Sequence, residues 1–276
     1  MKIATVGKGG SGKTTIAGSL ARIFAEEGQR ILAIDGDPNP NLALTLGMTK
    51  EAADGIEYIP ASVMRPGEKV DGVTMMEPAL PLGELMTRYG HRAAENVDLI
   101  VMGKPAHGTA GSGCMCASHR AVRGLISELT AYGDHTVTDM EAGLEHLKRG
   151  TARHVDMMLV VAEPYYRSLE AAQRTAELAE ELGIRFVRVV ANKVRGTEDE
   201  AAIGAFCVKH SMQLIASVPY DEAMIEAERE GRAPYDFAAT SAGMVAIRDL
   251  AAKIGVLAAT MGPRGGAGGV GSDARL

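Results

Sequence analysis

The string Gly7-Lys8-Gly9-Gly10-Ser11-Gly12-Lys13-Thr14-Thr15 combines the residue types that hold a phosphate group. Its glycines let backbone N–H groups from Gly9, Gly10, Ser11, Gly12, Lys13, Thr14 and Thr15 converge on one anion. Lys13 is placed to contact the β- and γ-phosphates of a nucleotide, and the Thr14 hydroxyl to hold Mg²⁺. Three more side chains extend the same chemistry. Asp37, in the turn-rich stretch Gly36-Asp37-Pro38-Asn39-Pro40-Asn41, is placed to orient or activate an attacking water. Asp139, closing a β-prone run, would hold Mg²⁺ through water. The Asn192 amide can pair with an adenine edge through one donor and one acceptor. Phosphoryl transfer to water needs little beyond charge on the phosphate oxygens and an in-line water, so this set predicts ATP hydrolysis.

A second chemistry is written in Gly113-Cys114-Met115-Cys116. Residues two apart on an extended chain point the same way, so the Cys114 and Cys116 sulfurs can face one ligand. Two thiolates do not complete a four-coordinate site. A second copy related by a two-fold axis would supply the other two, and four soft thiolates suit Zn²⁺ or Ni²⁺. Taken alone, Cys-x-Cys reads equally as two packed or incidental cysteines. His119 and His146 stand near these stretches without ligand spacing.

The elements that must position these residues are legible as hydrophobic patterns. Ile3 to Val6 is a short buried strand, and Ile16, Ala17, Leu20, Ala21 and Phe24 follow at helical spacing. Strand, glycine loop, Lys-Thr and helix is the context that a phosphate-binding loop requires. Further strands are predicted at 30–35, 97–103, 135–139, 157–162, 186–191 and 214–218. Helices are predicted at 122–129, 168–182, 222–230 and 240–257. Asn192 then follows one strand, and the loop Pro219-Tyr220-Asp221 follows the next, where Pro219 can flank a base. Residues 48–96 are irregular and rich in Met, Gly and Pro. Met there suits either a contact surface or plain core filling. Cys207 lies in an apolar helical stretch and reads as a packing residue.

The totals bound the answer. With 276 residues, residues 1–260 read as one α/β domain and the Gly-rich 261–276 as a flexible tail. No run of about 18 apolar residues predicts a membrane span, and the first residues leave no room for a signal peptide. Three cysteines make no disulfide framework, so a cytoplasmic setting is expected. A net charge of −6 gives no overall attraction to nucleic acid or anionic lipid, so neither partner is expected.

Taken together, these residues resemble the deviant Walker A class of P-loop ATPases, the nitrogenase-iron-protein/MinD-like family. The resemblance rests on the phosphate-loop string with Lys8, on Asp35-Gly36-Asp37-Pro38-Asn39, on Asp139-Met140-Glu141-Ala142-Gly143-Leu144-Glu145-His146, and on Asn192-Lys193. The Cys pair points to the subgroup that matures carbon monoxide dehydrogenase by inserting nickel. The resemblance implies a P-loop NTPase fold with a mostly parallel central sheet flanked by helices on both faces. It also implies a homodimer that closes on ATP, in which Lys8 reaches the partner's nucleotide, and a metal held between subunits at Cys114 and Cys116. Lys8 alone would read as a solvated loop lysine. A nickel metalloenzyme is the implied client. The alternative within the class is a ParA/MinD-type positioning ATPase that binds DNA, membrane or a protein surface. An iron–sulfur reductase would carry a further Cys in the loop after Asp139, and none occurs there.

Overall fold

The computed structural model describes residues 1–37, 39–60, 63–70, 73–102, 135–140 and 155–261. In chain order the first elements are β1 (Lys2–Gly7), α1 (Lys13–Glu26), β2 (Ile31–Asp35), α2 (Leu42–Thr45), α3 (Lys50–Asp54), β3 (Met64–Val70), β4 (Val73–Pro78), α4 (Leu82–Tyr89), β5 (His91–Ala94) and β6 (Val97–Val101). Then come β7 (His135–Asp139), β8 (Met157–Ala162), α5 (Tyr166–Glu181), β9 (Phe186–Val194), α6 (Thr197–Lys209), β10 (Leu214–Pro219), α7 (Glu222–Arg229), α8 (Pro234–Phe237) and α9 (Ala242–Ala259).

One sheet orders the strands β10-β9-β8-β1-β7-β2-β6-β5. Every neighbouring pair is parallel except β5 on β6. Strands buried on both faces read as continuous apolar runs, and alternate residues then enter different cores. In β8, Met157, Leu159 and Val161 join the α1/α9 core, whereas Met158, Val160 and Ala162 join the core under α5 and α6. In β2, Ile31 and Ala33 face α1, and Leu32 and Ile34 face a third cluster with Leu85, Met86 and Tyr89 of α4. Helices therefore cover both faces of a mostly parallel sheet, as the sequence patterns require. Cys207 is buried in the second core, and burial pushes its thiol pKa up, so it is an unreactive packing residue.

Residues 48–96 hold more order than their composition suggests. β3 and β4 form an antiparallel hairpin apart from the main sheet, and β5 closes the sheet edge. Met64 and Met86 are buried in the third cluster, so these two methionines fill core. Element boundaries also move by a few residues. Helix α5 starts at Tyr166 rather than Ser168, and β9 runs through Asn192 to Val194 rather than stopping at Ala191. The expected helix at 122–129, the Cys pair with His119, and Gly143 and His146 lie outside the described residues. So does all but the first residue of the expected tail at 261–276. No helix among the described residues is long and apolar enough to cross a membrane.

Parallel strands end on one side of a sheet, and the crevice there is where open α/β sheets bind ligands. Gly7, Asp35, Asp139, Ala162, Val194 and Pro219 close their strands on that side. Register brings the two acids together: Asp35 pairs with Asp139 across β2 and β7, and Thr5 pairs with Asp139 across β1 and β7.

Candidate active site

The phosphate loop leaves β1 and enters α1 with Gly12 as the residue before the helix. No side chain caps that helix end and no acid occupies its first turn, so its leading N–H groups are open to an anion. Gly10 and Gly12 adopt φ of 81° and 89°, a region that side chains rarely tolerate. A Cβ at Gly12 would also collide with the Asn192 amide nitrogen. The turn is closed by Ser11 N–H donating to the Lys8 carbonyl at 3.0 Å.

Beside the loop lies a cleft of about 560 Å³. Gly9, Gly10, Gly12, Lys13, Thr14 and Thr15 line it, together with Asp37 and Asn39. Asn192, Pro219 and Tyr220 line its continuation toward α7 and α8. A cleft of this size suits a nucleotide-sized ligand. Lys13, Asp37, Thr14, Asn192 and Pro219 thus converge on one space, together with the loop backbone. Ser11 is buried beneath the loop. Lys8 is exposed and does not line this cleft.

The acids are arranged around Lys13 and Thr14. Lys13 Nζ lies 3.0 Å from Asp37 Oδ2. Burial works against its charge, but Asp139, Asp37 and Asp35 outweigh that and raise its pKa. Thr14 Oγ1 donates to Asp139 Oδ2 at 2.5 Å, and Thr5 Oγ1 to Asp139 Oδ1 at 3.1 Å. Burial raises the Asp139 pKa against the opposing pull of Lys13, Thr14 and Thr5. Hard oxygen donors on Thr14 and Asp139, side by side and next to a phosphate loop, fit Mg²⁺.

Asp35 closes β2 and takes its role from the fold rather than from any local sequence signal. It is buried and accepts N–H groups from Asp37, Asn41 and Leu42 at 3.1, 3.0 and 2.9 Å. It therefore shapes the loop that carries Asp37. Burial first, and Asp139 second, push its pKa up to about 7.

A carboxyl whose pKa is raised in the folded state retains a proton that the unfolded chain has already released. Its contribution to stability is complete below the unfolded pKa and is lost as pH rises through about 7. The nucleotide-free protein is expected to lose thermal stability between about pH 4 and pH 7, with much of that slope absent in Asp35→Asn. Unfolding midpoints across that range check it. An equal slope in the variant contradicts the assignment.

Asn192 and Lys193 meet the phosphate loop from β9. Asn192 Nδ2 donates to the Ser11 carbonyl at 2.7 Å, and Lys193 Nζ to the Gly10 carbonyl. Lys193 also pairs with Glu163 at 3.1 Å. Lys193 enters the sequence reading only as part of the Asn192-Lys193 pair, and Glu163 carries no local signal, being an ordinary charged residue just past a strand.

Three comparisons bear on this geometry. Residues 2–235 match the family described as the CobQ/CobB/MinD/ParA nucleotide binding domain. An uncharacterised ATP-binding protein of Methanocaldococcus jannaschii is 37% identical over 236 residues, covering 84% of this chain and 90% of that protein. The carbon monoxide dehydrogenase accessory protein CooC of Rhodospirillum rubrum is 37% identical over 243 residues, covering 86% and 90%. Among solved structures, the septum site-determining protein MinD of Pyrococcus horikoshii, complexed with Mg-ADP, aligns with a TM-score of 0.69 at 23% identity. That alignment covers 94% of this chain and 98% of that one, and the likeness is one of fold.

Proposed function

Since this chain belongs to the CobQ/CobB/MinD/ParA nucleotide-binding family and is a P-loop ATPase, we propose that it is a dimeric metallochaperone that uses ATP to deliver nickel to a metalloenzyme. The observation that carries the reading is a pairing of two facts. The chain is 37% identical to a carbon monoxide dehydrogenase accessory protein over most of both lengths, and it holds Cys114-Met115-Cys116.

In this reading Lys13 leaves Asp37 when a triphosphate enters and neutralises the β- and γ-phosphates. Asp37, released from its ion pair, orients the attacking water and accepts its proton. Thr14 and Asp139 would hold Mg²⁺, which would supply positive charge to the phosphate oxygens. Backbone N–H groups from Gly9 to Thr15 hold the phosphates, while Asn192 and Pro219 flank the base.

Lys8 is exposed and does not line its own cleft, which suits a cation lent to the nucleotide of a second copy. Hydrolysis then requires two subunits to close. Closure brings two Cys114/Cys116 pairs to the two-fold axis, where four thiolates take one Ni²⁺ or Zn²⁺. ATP and metal bind to the same dimer equilibrium, so each changes the affinity of the other by the same factor.

Metal titration tests the cargo role. The wild type is expected to bind one Ni²⁺ per dimer, and the Cys114→Ala/Cys116→Ala variant none at that site, with ATP binding retained. Equal stoichiometry in both proteins would remove the metal role and leave the ATPase.

A further inference from the structure

A loop that turns its N–H groups toward an anion turns carbonyls away from it. Those carbonyls, packed against neighbouring strands, need donors of their own. Two consecutive residues of β9 meet this need: Asn192 serves Ser11, and Lys193 serves Gly10.

Consecutive strand residues ordinarily point to opposite faces. Two features let both reach one loop. Between the pairs Ala191–Ser217 and Val194–Pro219 the register shifts, so Asn192 and Lys193 together oppose Val218. Such bulges re-aim side chains beside active sites. Lys193 also has φ of 58°, in the left-handed region that a long side chain seldom occupies. Strain of this kind persists where surrounding contacts hold it. Here the holding contact is the ion pair with Glu163, at the end of the neighbouring strand β8.

We propose that Lys193 is a positioning residue for the phosphate loop: tied between the Gly10 carbonyl and the Glu163 carboxylate, its ammonium keeps the loop in its anion-binding shape before nucleotide arrives. The proposal concerns the ATP site alone and stands whether or not the chain carries nickel. A pre-shaped loop spares the nucleotide the cost of ordering it, so the effect belongs to affinity. At saturating nucleotide the bound phosphates hold the loop themselves, and turnover is largely restored.

The test measures ATP and ADP affinity with a fluorescent nucleotide analogue, together with kcat, in four folded variants. Lys193→Met keeps the stem and removes the charge. It is expected to weaken both nucleotides by about threefold to tenfold, the range for a partly exposed charge-assisted bond, with kcat within about twofold. Lys193→Gly relieves the left-handed backbone but is expected to lose as much affinity. Lys193→Arg is expected to recover most of it. Glu163→Gln is expected to weaken binding by about twofold to threefold through loss of the anchor, and it provides a reading even if Lys193→Met fails to fold.

Wild-type affinity in Lys193→Met or in Glu163→Gln overturns the proposal. So does wild-type affinity in Lys193→Gly, because backbone strain would then explain the site without the ammonium. A loss of kcat at unchanged affinity also overturns it, since Lys193 would then act on the transition state.

Discussion

Replacing Asp37 with Asn is expected to lower ATP turnover by about a thousandfold, the usual scale for removing a group that activates a nucleophile. Nucleotide binding should not fall with it. Asp37 lies 3.0 Å from Lys13, so the carboxylate competes with phosphate for the same ammonium. Asn cannot compete in that way, and ATP affinity should stay equal or rise. The substitution keeps the shape of the side chain and leaves Asp35 to accept the N–H group of residue 37. Single-turnover hydrolysis and equilibrium ATP binding, measured on the same preparation, separate the two effects. A parallel loss of affinity and rate would assign Asp37 to binding instead.

The second large effect is expected at Lys8. An exposed lysine that lines none of its own cleft should matter little to a monomeric ATPase. If it completes a partner's site, Lys8→Ala should lower turnover by about a thousandfold, the scale of a cation supplied in trans to a phosphoryl group. ATP binding to the single subunit should change little, because Lys13 and the loop N–H groups remain. Steady-state turnover and ATP affinity, measured over a range of protein concentrations, check both expectations.

Much of this site was legible in the sequence because its signals are local. The phosphate loop sits between an apolar tetrapeptide and a helical repeat, and each is specified within a few residues of Gly7 and Lys13. An apolar run marked β8 and a β-branched run marked β7 at their full lengths, because these residue types carry the strand signal locally.

What was not legible depends on contacts between distant segments. Asp35 becomes a buried carboxyl only when β2 aligns with β7 and sets it beside Asp139. Lys193 enters a left-handed turn because β9 bulges against β10, and lysine carries no local signal for that backbone. The β3–β4 hairpin was missed because its strands mix Pro66, Gly67 and charged residues with Met. Pairing rather than propensity holds such strands together. The Asn192 amide illustrates both cases. Its type and place beside a strand end were readable, but its hydrogen bond to Ser11 depends on the fold.

The proposal that a second copy of the chain lends the cleft its cation is tested most directly by mixing two inactive variants. In a mixed dimer of Lys8→Ala and Asp37→Asn subunits, the first keeps Asp37 and receives Lys8 from the second. One of the two sites is then whole. With random pairing, the mixture should recover about a quarter of wild-type turnover per subunit, although each variant alone is nearly inactive. A mixture that stays inactive, or a Lys8→Ala protein that hydrolyses ATP at the wild-type rate as a single subunit, would contradict the account.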